Sequence, residues 1–330
     1  MYTHHYGLTA PPFQLTPDAR FWFDSRSHKK AMAYLGYGLA QGEGFITVTG
    51  EIGAGKSTLA AHLLATIDRE RLNAVSLVST QVEGDDMLRL AAQGFGLATE
   101  GLAKAQILDR MEQLLADQAA QGKRSLLIVD EAQSLATSAL EELRMLSNFT
   151  RQGRALLQIF LLGQPEFRDR LASDEGLEQL RQRVIATHHL DAMEPNEVEP
   201  YLVHRLSVAG WNGRPGFDAA AFAAIHRHTG GIPRRVNQFA NRVLLYGAVE
   251  NLDRITAAEV EAVAADMAAD RPQQRASPAS EPVADLALER RIAQLESRLE
   301  EQEVVLRRVL TLLVDWVENT SAPGYRSNAA

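Results

Sequence analysis

The stretch Gly50-Glu51-Ile52-Gly53-Ala54-Gly55-Lys56-Ser57-Thr58 sets four residues between a glycine and Gly-Lys-Ser. That is the spacing of a phosphate-binding loop. Its glycines let successive backbone N–H groups turn inward around a polyphosphate. Lys56 would bring a point charge to the β- and γ-phosphates, and the Ser57 hydroxyl would ligate Mg²⁺. Such a loop needs a strand behind it and a helix in front. Phe45–Thr49 (FITVT) reads as the strand, and Thr58–Ile67 (TLAAHLLATI) as a helix whose N-terminus faces the phosphates. The expectation is a site for ATP and Mg²⁺ across residues 50–58.

From Phe45 to about Leu190, short apolar runs alternate with longer helical ones. The runs are Ala74–Val78, Ser125–Val129, Leu156–Leu162 and a weaker Ala186–Leu190. Helical stretches fall near Asp85–Gly94, Lys104–Gln121 and Ser138–Thr150. Continuous apolar runs are strands buried on both faces. Their alternation with helices predicts an α/β fold, a parallel five-stranded sheet sandwiched by helices, with its site beyond the carboxyl ends of the strands. Pro195–Ala209, Asp218–His228, Arg234–Glu250 and Thr256–Met267 read as four helices of a small lid. The expected division is an N-terminal arm and helix at 1–44, a nucleotide core at 45–190 and the lid at 191–268. A linker at 269–284, a coiled-coil helix at 285–318 and a tail at 319–330 follow.

The linker is proline-rich and nearly devoid of apolar residues. After it, Leu288, Ile292, Leu295, Leu299, Gln302, Leu306, Val309, Leu313 and Trp316 alternate spacings of four and three, a heptad seam suited to a partner helix or a second copy. In the arm, Phe13, Phe21, Trp22 and Phe23 cluster around prolines. They either wrap the adenine face of a nucleotide or fasten the arm to the core, and the two readings are compatible.

The net charge of −8 argues against a dedicated nucleic-acid binder. There is no cysteine, so no disulfide or thiolate metal site. The first ten residues lack the basic and apolar regions of a signal peptide, and no apolar run reaches the roughly 18 residues of a membrane helix. The expected location is therefore cytoplasmic. The histidines lack the context of a zinc site.

Four further features carry chemistry. Leu126–Val129 ends in Asp130-Glu131 about seventy residues after the loop. A carboxylate at that strand tip orients Mg²⁺, and Glu131 is placed to act as general base on the attacking water. Gln164 follows the Leu156–Leu162 strand, where it either orients that water or senses the γ-phosphate, or else caps the Pro165 helix. Arg181 and Arg183 precede the fifth strand; in an oligomeric ATPase an arginine at this edge, Arg183 ahead of Arg181, reaches a neighbouring subunit's γ-phosphate, and the alternative is a solvated charged helix end. Arg234 opens a helix after Gly230-Gly231-Ile232-Pro233. A cation in that first turn opposes the helix dipole unless a triphosphate lies close.

Together, the loop, the Asp-Glu strand tip, the arginines before strand five and the Gly-Ile-Pro-Arg helix start resemble an AAA+ (ASCE) ATPase. Tyr6-Gly7-Leu8, Pro12-Phe13, Pro17-Asp18, Phe21, Ser27-His28 and Gly42–Phe45 are more specifically similar to the ExeA/GspA secretion ATPases. Within them they look most like the subfamily encoded beside exosortase (XrtA/PEP-CTERM) and exopolysaccharide-export loci. The resemblance covers residues 1 to about 268. It implies an oligomeric ATPase hydrolysing ATP to drive or gate envelope secretion or polymer export. ExeA proteins carry a membrane span and a peptidoglycan-binding part that these residues do not match, so any membrane role is expected to run through a partner. Two other classes stand beside it: an ATP-binding switch with little turnover, and a DNA-associated accessory ATPase of the transposition-helper kind.

Overall fold

The computed structural model describes residues 2–16, 18–78 and 83–269. The arm ends at Ser25, whose side chain accepts the His28 N–H and so caps helix α1 (Arg26–Gln41), and Gly42 closes that helix in the left-handed conformation. Strand β1 (Phe45–Gly50) runs into the glycine-rich turn and helix α2 (Lys56–Thr66). The chain continues through β2 (Leu72–Val78), α3 (Gly84–Gly94), α4 (Lys104–Ala120), β3 (Arg124–Asp130) and α5 (Thr137–Leu146). After these come β4 (Leu157–Gly163), α6 (Pro165–Ser173), the short α7 (Glu178–Arg181) and β5 (Val184–Leu190). Helices α8 (Pro195–Val208), α9 (Ala219–Thr229), α10 (Pro233–Val249) and α11 (Ala257–Ala269) complete the described chain.

The five strands form one sheet in the order β2-β3-β4-β1-β5, every pair parallel. Placing β1 between β4 and β5, rather than beside β2, makes the crossovers leave the carboxyl end of β1 flanked by the tip of β4. Side chains alternate between two buried layers, as the apolar runs require. Leu127, Val129, Ile159 and Leu161 face one core with α3, α4 and α5. Leu126, Ile128, Phe160 and Leu162 face the other with α1 and α2. The expected α/β sandwich is what the chain forms.

Helices α8–α11 enclose a third core that also takes in Tyr6, Leu8 and Phe13 of the arm. Thr9 donates its N–H to Ala209 O, and buried Arg205 donates through Nε to Pro12 O while its guanidinium covers the Phe21 ring.

Two local features differ from expectation. The helix read over Ser138–Thr150 stops at Leu146, and Thr150–Arg151 pairs antiparallel with Arg154–Ala155. Gln152 and Gly153 both take positive φ, 54° and 74°, the two-residue turn that suits a right-twisted hairpin. The region after β5 also holds a small parallel ladder, Gly216–Phe217 with Arg254–Ile255, which two-residue strands cannot announce in sequence. The expected linker at 270–284, the heptad seam and Pro17 lie outside the described residues.

Candidate functional site

The turn after β1 is shaped by two glycines with φ of 87° (Gly53) and 104° (Gly55), conformations in which a Cβ is strained. Space forbids one as well. A Cβ on Gly53 would lie 2.4 Å from Arg234 Cβ, and one on Gly55 would lie 2.5 Å from His28 Nε2. The loop is thus gripped on one side by the start of α10 and on the other by α1. Arg234 N–H donates to Gly53 O at 3.1 Å. An otherwise unpartnered donor of the first helical turn is satisfied by the loop itself.

Lys56 opens α2 with 6% of its surface exposed. Its Nζ donates to Gly50 O at 2.7 Å and Glu51 O at 3.1 Å. Burial pulls its pKa down, and the carboxylates of Glu131, Asp130 and Glu51 oppose that shift. The ammonium therefore sits in a largely desolvated ring of carbonyls and acidic groups, where a polyanion would take over the charge partnership. Glu51 and Ile52 are exposed at the tip of the loop, Ala54 is buried beneath it, and Thr58 lines the cleft beside Ser57.

The acidic strand tip reaches the same point. Ser57 Oγ donates to Asp130 Oδ2 at 2.6 Å, and Asp130 Oδ1 accepts the Glu131 N–H at 2.9 Å. Asp130 is 5% exposed at the end of β3. Two hard oxygen donors converging from loop and strand fit a Mg²⁺ ion, which binds through one or two protein oxygens and keeps several waters. Among the described residues no group of three or more histidine, aspartate or glutamate side chains offers a different donor set.

Glu131 holds φ 57° and ψ 40°, the left-handed region. For a side chain with a Cβ this costs on the order of 1–3 kcal/mol, and such strain gathers where position matters. Its carboxylate faces Gln164, whose Nε2 lies 3.5 Å from Glu131 Oε2. Gln164 is the residue before α6 and makes no side-chain capping hydrogen bond there, so the capping reading of this residue is not what the helix start shows. Gln133 was not singled out in the sequence, yet it reaches both groups: Nε2 donates to Glu131 Oε2 and Oε1 accepts the Gln164 N–H at 3.0 Å. Only its place two residues beyond Asp130-Glu131 could have drawn attention to it.

Arg181 and Arg183 are not brought to this point. Arg183 O accepts the Phe45 N–H at the amino end of β1, while the loop leaves the carboxyl end, and its Nη1 donates to Ser147 Oγ at 3.0 Å. Arg181 is committed to Ala172 O and to Glu178, each at 2.8 Å.

The cleft is closed by the arm and the C-terminal helices. Leu15, Phe21, Trp22 and Phe23 line it from the arm, and Tyr201 and Asn237 from α8 and α10. Trp22 stacks on His62 of α2 with ring centroids 4.1 Å apart. His28, buried behind Gly55 with Nδ1 on Ser25 Oγ, has its pKa pushed down to about 4 by desolvation. Neither of the two sequence readings of the arm displaces the other, since the same segment packs and lines.

Residues 39–171 match the AAA domain family. The chain is 37% identical over 273 residues to general secretion pathway protein A of Aeromonas hydrophila, an alignment covering 82% of this chain and 49% of that protein. It thus spans about half the length of that curated relative. Among solved structures, the ADP form of Aeropyrum pernix ORC2 superposes with a TM-score of 0.58 at 17% identity, over 77% of this chain and 72% of that one. Cdc6p of Pyrobaculum aerophilum superposes with a TM-score of 0.56 at 15% identity, over 73% and 68%. At these identities the structures share the fold. Residues 39–171 thus carry an AAA domain on a P-loop NTPase fold, in a chain similar to the secretion protein, and among its described residues no helix is long and apolar enough to cross a membrane.

Proposed function

We propose that the chain hydrolyses ATP to ADP and phosphate. The observation that supports this most is the meeting of Lys56, the Ser57–Asp130 pair and Glu131 at one strand tip beneath a glycine-shaped loop. Loop amides and Lys56 hold the polyphosphate. A Mg²⁺ ion on Ser57 and Asp130 would offset charge on the β- and γ-phosphate oxygens. Glu131 accepts a proton from water as the water oxygen bonds the γ-phosphorus. The bond from that phosphorus to the β–γ bridging oxygen breaks, and ADP leaves with the electron pair. Gln164 orients the water, and Arg234 reports nucleotide state from the helical lid.

Arg183, ahead of Arg181, serves a neighbouring copy's γ-phosphate in an oligomer, since neither arginine approaches its own loop. The relative's name refers to general secretion. We assign this chain, by that likeness, to ATP-driven or ATP-gated support of envelope secretion, and more finely to the XrtA/PEP-CTERM-associated group serving exopolysaccharide export. It would act in the cytoplasm and meet the membrane through a protein partner, with the heptad segment as the contact.

Glu131→Gln tests the reaction. ATP binding is expected to stay within about threefold while phosphate release falls about 10²–10⁴-fold, the usual worth of a general base. Wild-type turnover in that variant would overturn the assignment.

A further inference from the structure

Gln133 belongs to a single helical turn, Ala132–Ser134, closed by Ser134 N–H on Glu131 O. Its amide has an unambiguous orientation. The Gln164 N–H can only donate, so the atom 3.0 Å from it must be Oε1, which leaves Nε2 pointing at the Glu131 carboxylate. One side chain therefore spans the tips of two adjacent strands, β3 and β4, which are paired through Val129 and Leu161. It occupies Oε2 of Glu131. Among the described residues Oε1 has no partner, so one oxygen is fixed and the other is left for a proton.

We propose that Gln133 is a positioning residue: it holds the Glu131 carboxylate at the orientation needed to meet water and locks it to the backbone of Gln164. It touches neither nucleotide nor the reacting atoms, and the inference rests on the hydrolytic reading of the site. Hydrogen-bonding capacity, rather than bulk, is what the position demands. A leucine would fill the space without holding either neighbour. A glutamate would still accept the Gln164 N–H while setting a second carboxylate against the first.

The test uses the full chain, ATP and two independent readouts. Gln133→Leu and Gln133→Glu are expected to lower kcat about 10- to 100-fold, the cost of misplacing a reacting group by about an ångström, with KM for ATP within about twofold. Gln133→Glu should also lower Tm by a few degrees. The swapped double variant, Glu131→Gln with Gln133→Glu, should regain most of that loss in Tm, because the amide–carboxylate pair is rebuilt in reverse while the base is gone. Wild-type kcat in both single variants, or a double whose Tm change equals the sum of the singles, overturns the inference. The two readings fail separately. Turnover in Glu131→Gln removes the base but leaves the Tm coupling to decide the contact, whereas an inactive Glu131→Gln beside fully active Gln133 variants removes only the positioning role of Gln133.

Discussion

Replacing Gly53 with alanine probes how firmly the phosphate loop and the start of α10 are pressed together. The new Cβ would lie 2.4 Å from Arg234 Cβ, with Cδ at 3.2 Å and Cγ at 3.3 Å. The first of these is anchored to a helix backbone, so no rotamer change relieves it, and either the loop or the whole helix start must shift. Two costs add. The φ of 87° disfavours any L side chain by about 1–2 kcal/mol. Overpacking adds about 1–3 kcal/mol. Gly96 separates them, because its φ is 91° and nothing lies within 4 Å of a Cβ built there. Gly96→Ala should therefore show the conformational cost alone, and Gly53→Ala should lose about 1–3 kcal/mol more in urea denaturation. Hydrogen exchange gives the local readout: the Arg234 amide, which donates to Gly53 O, should lose protection in Gly53→Ala and keep it in Gly96→Ala. Equal stabilities for the two variants, with Arg234 protection unchanged, would refute a load-sharing contact between loop and helix.

Within α1, Gly36→Ala meets nothing within 4 Å and should raise stability by about 0.5–1 kcal/mol, whereas Gly38→Ala would place its Cβ 1.7 Å from Ile46 Cδ1 and should lower it by at least as much, as urea melts will show. His28 is kept neutral in the fold with a pKa near 4, while the unfolded chain takes up a proton near 6.5. Its contribution is complete above pH 6.5 and is lost as pH falls from 6.5 toward 4, by about 3 kcal/mol over that window. His28→Asn should flatten this acid limb in melts run across pH 4–7. Arg183→Ala removes one hydrogen bond to Ser147 and should change Tm by only a few degrees, yet titrating it into wild-type protein should depress phosphate release below simple dilution. A strictly proportional fall would place that arginine outside any shared site.

The parts of the site read most directly from sequence were those whose chemistry is local. Gly50–Thr58 carries its own spacing, and Leu126–Val129 is an unbroken apolar run ending in two acids, so strand and tip announce themselves together. What brings Ser57 and Asp130 to 2.6 Å, separated by 73 positions, is the strand order, which no short-range pattern encodes. His28 escaped notice as a wall of the loop for the same reason: its partner is Gly55, reached only because α1 packs across the sheet. The hairpin at Gln152-Gly153 was hidden by a different cause, since the helical periodicity of α5 runs smoothly into polar residues and glutamine is not among the residues usually favoured at positive φ. Gln133 has no signature beyond its neighbours. Its importance comes from an amide that happens to reach two strand tips.

The arm reaches its binding place only by crossing to residues near position 205, through Thr9 on Ala209 and Pro12 on Arg205. A ribosome must therefore add about two hundred residues after Thr9 before that part of the arm has Ala209 to close against. Until then the glycine turn and its lysine exist without a roof. A growing polypeptide holding the whole loop but lacking α8 and α10 would expose that surface to the surrounding solution, and those two helices finish what the arm began.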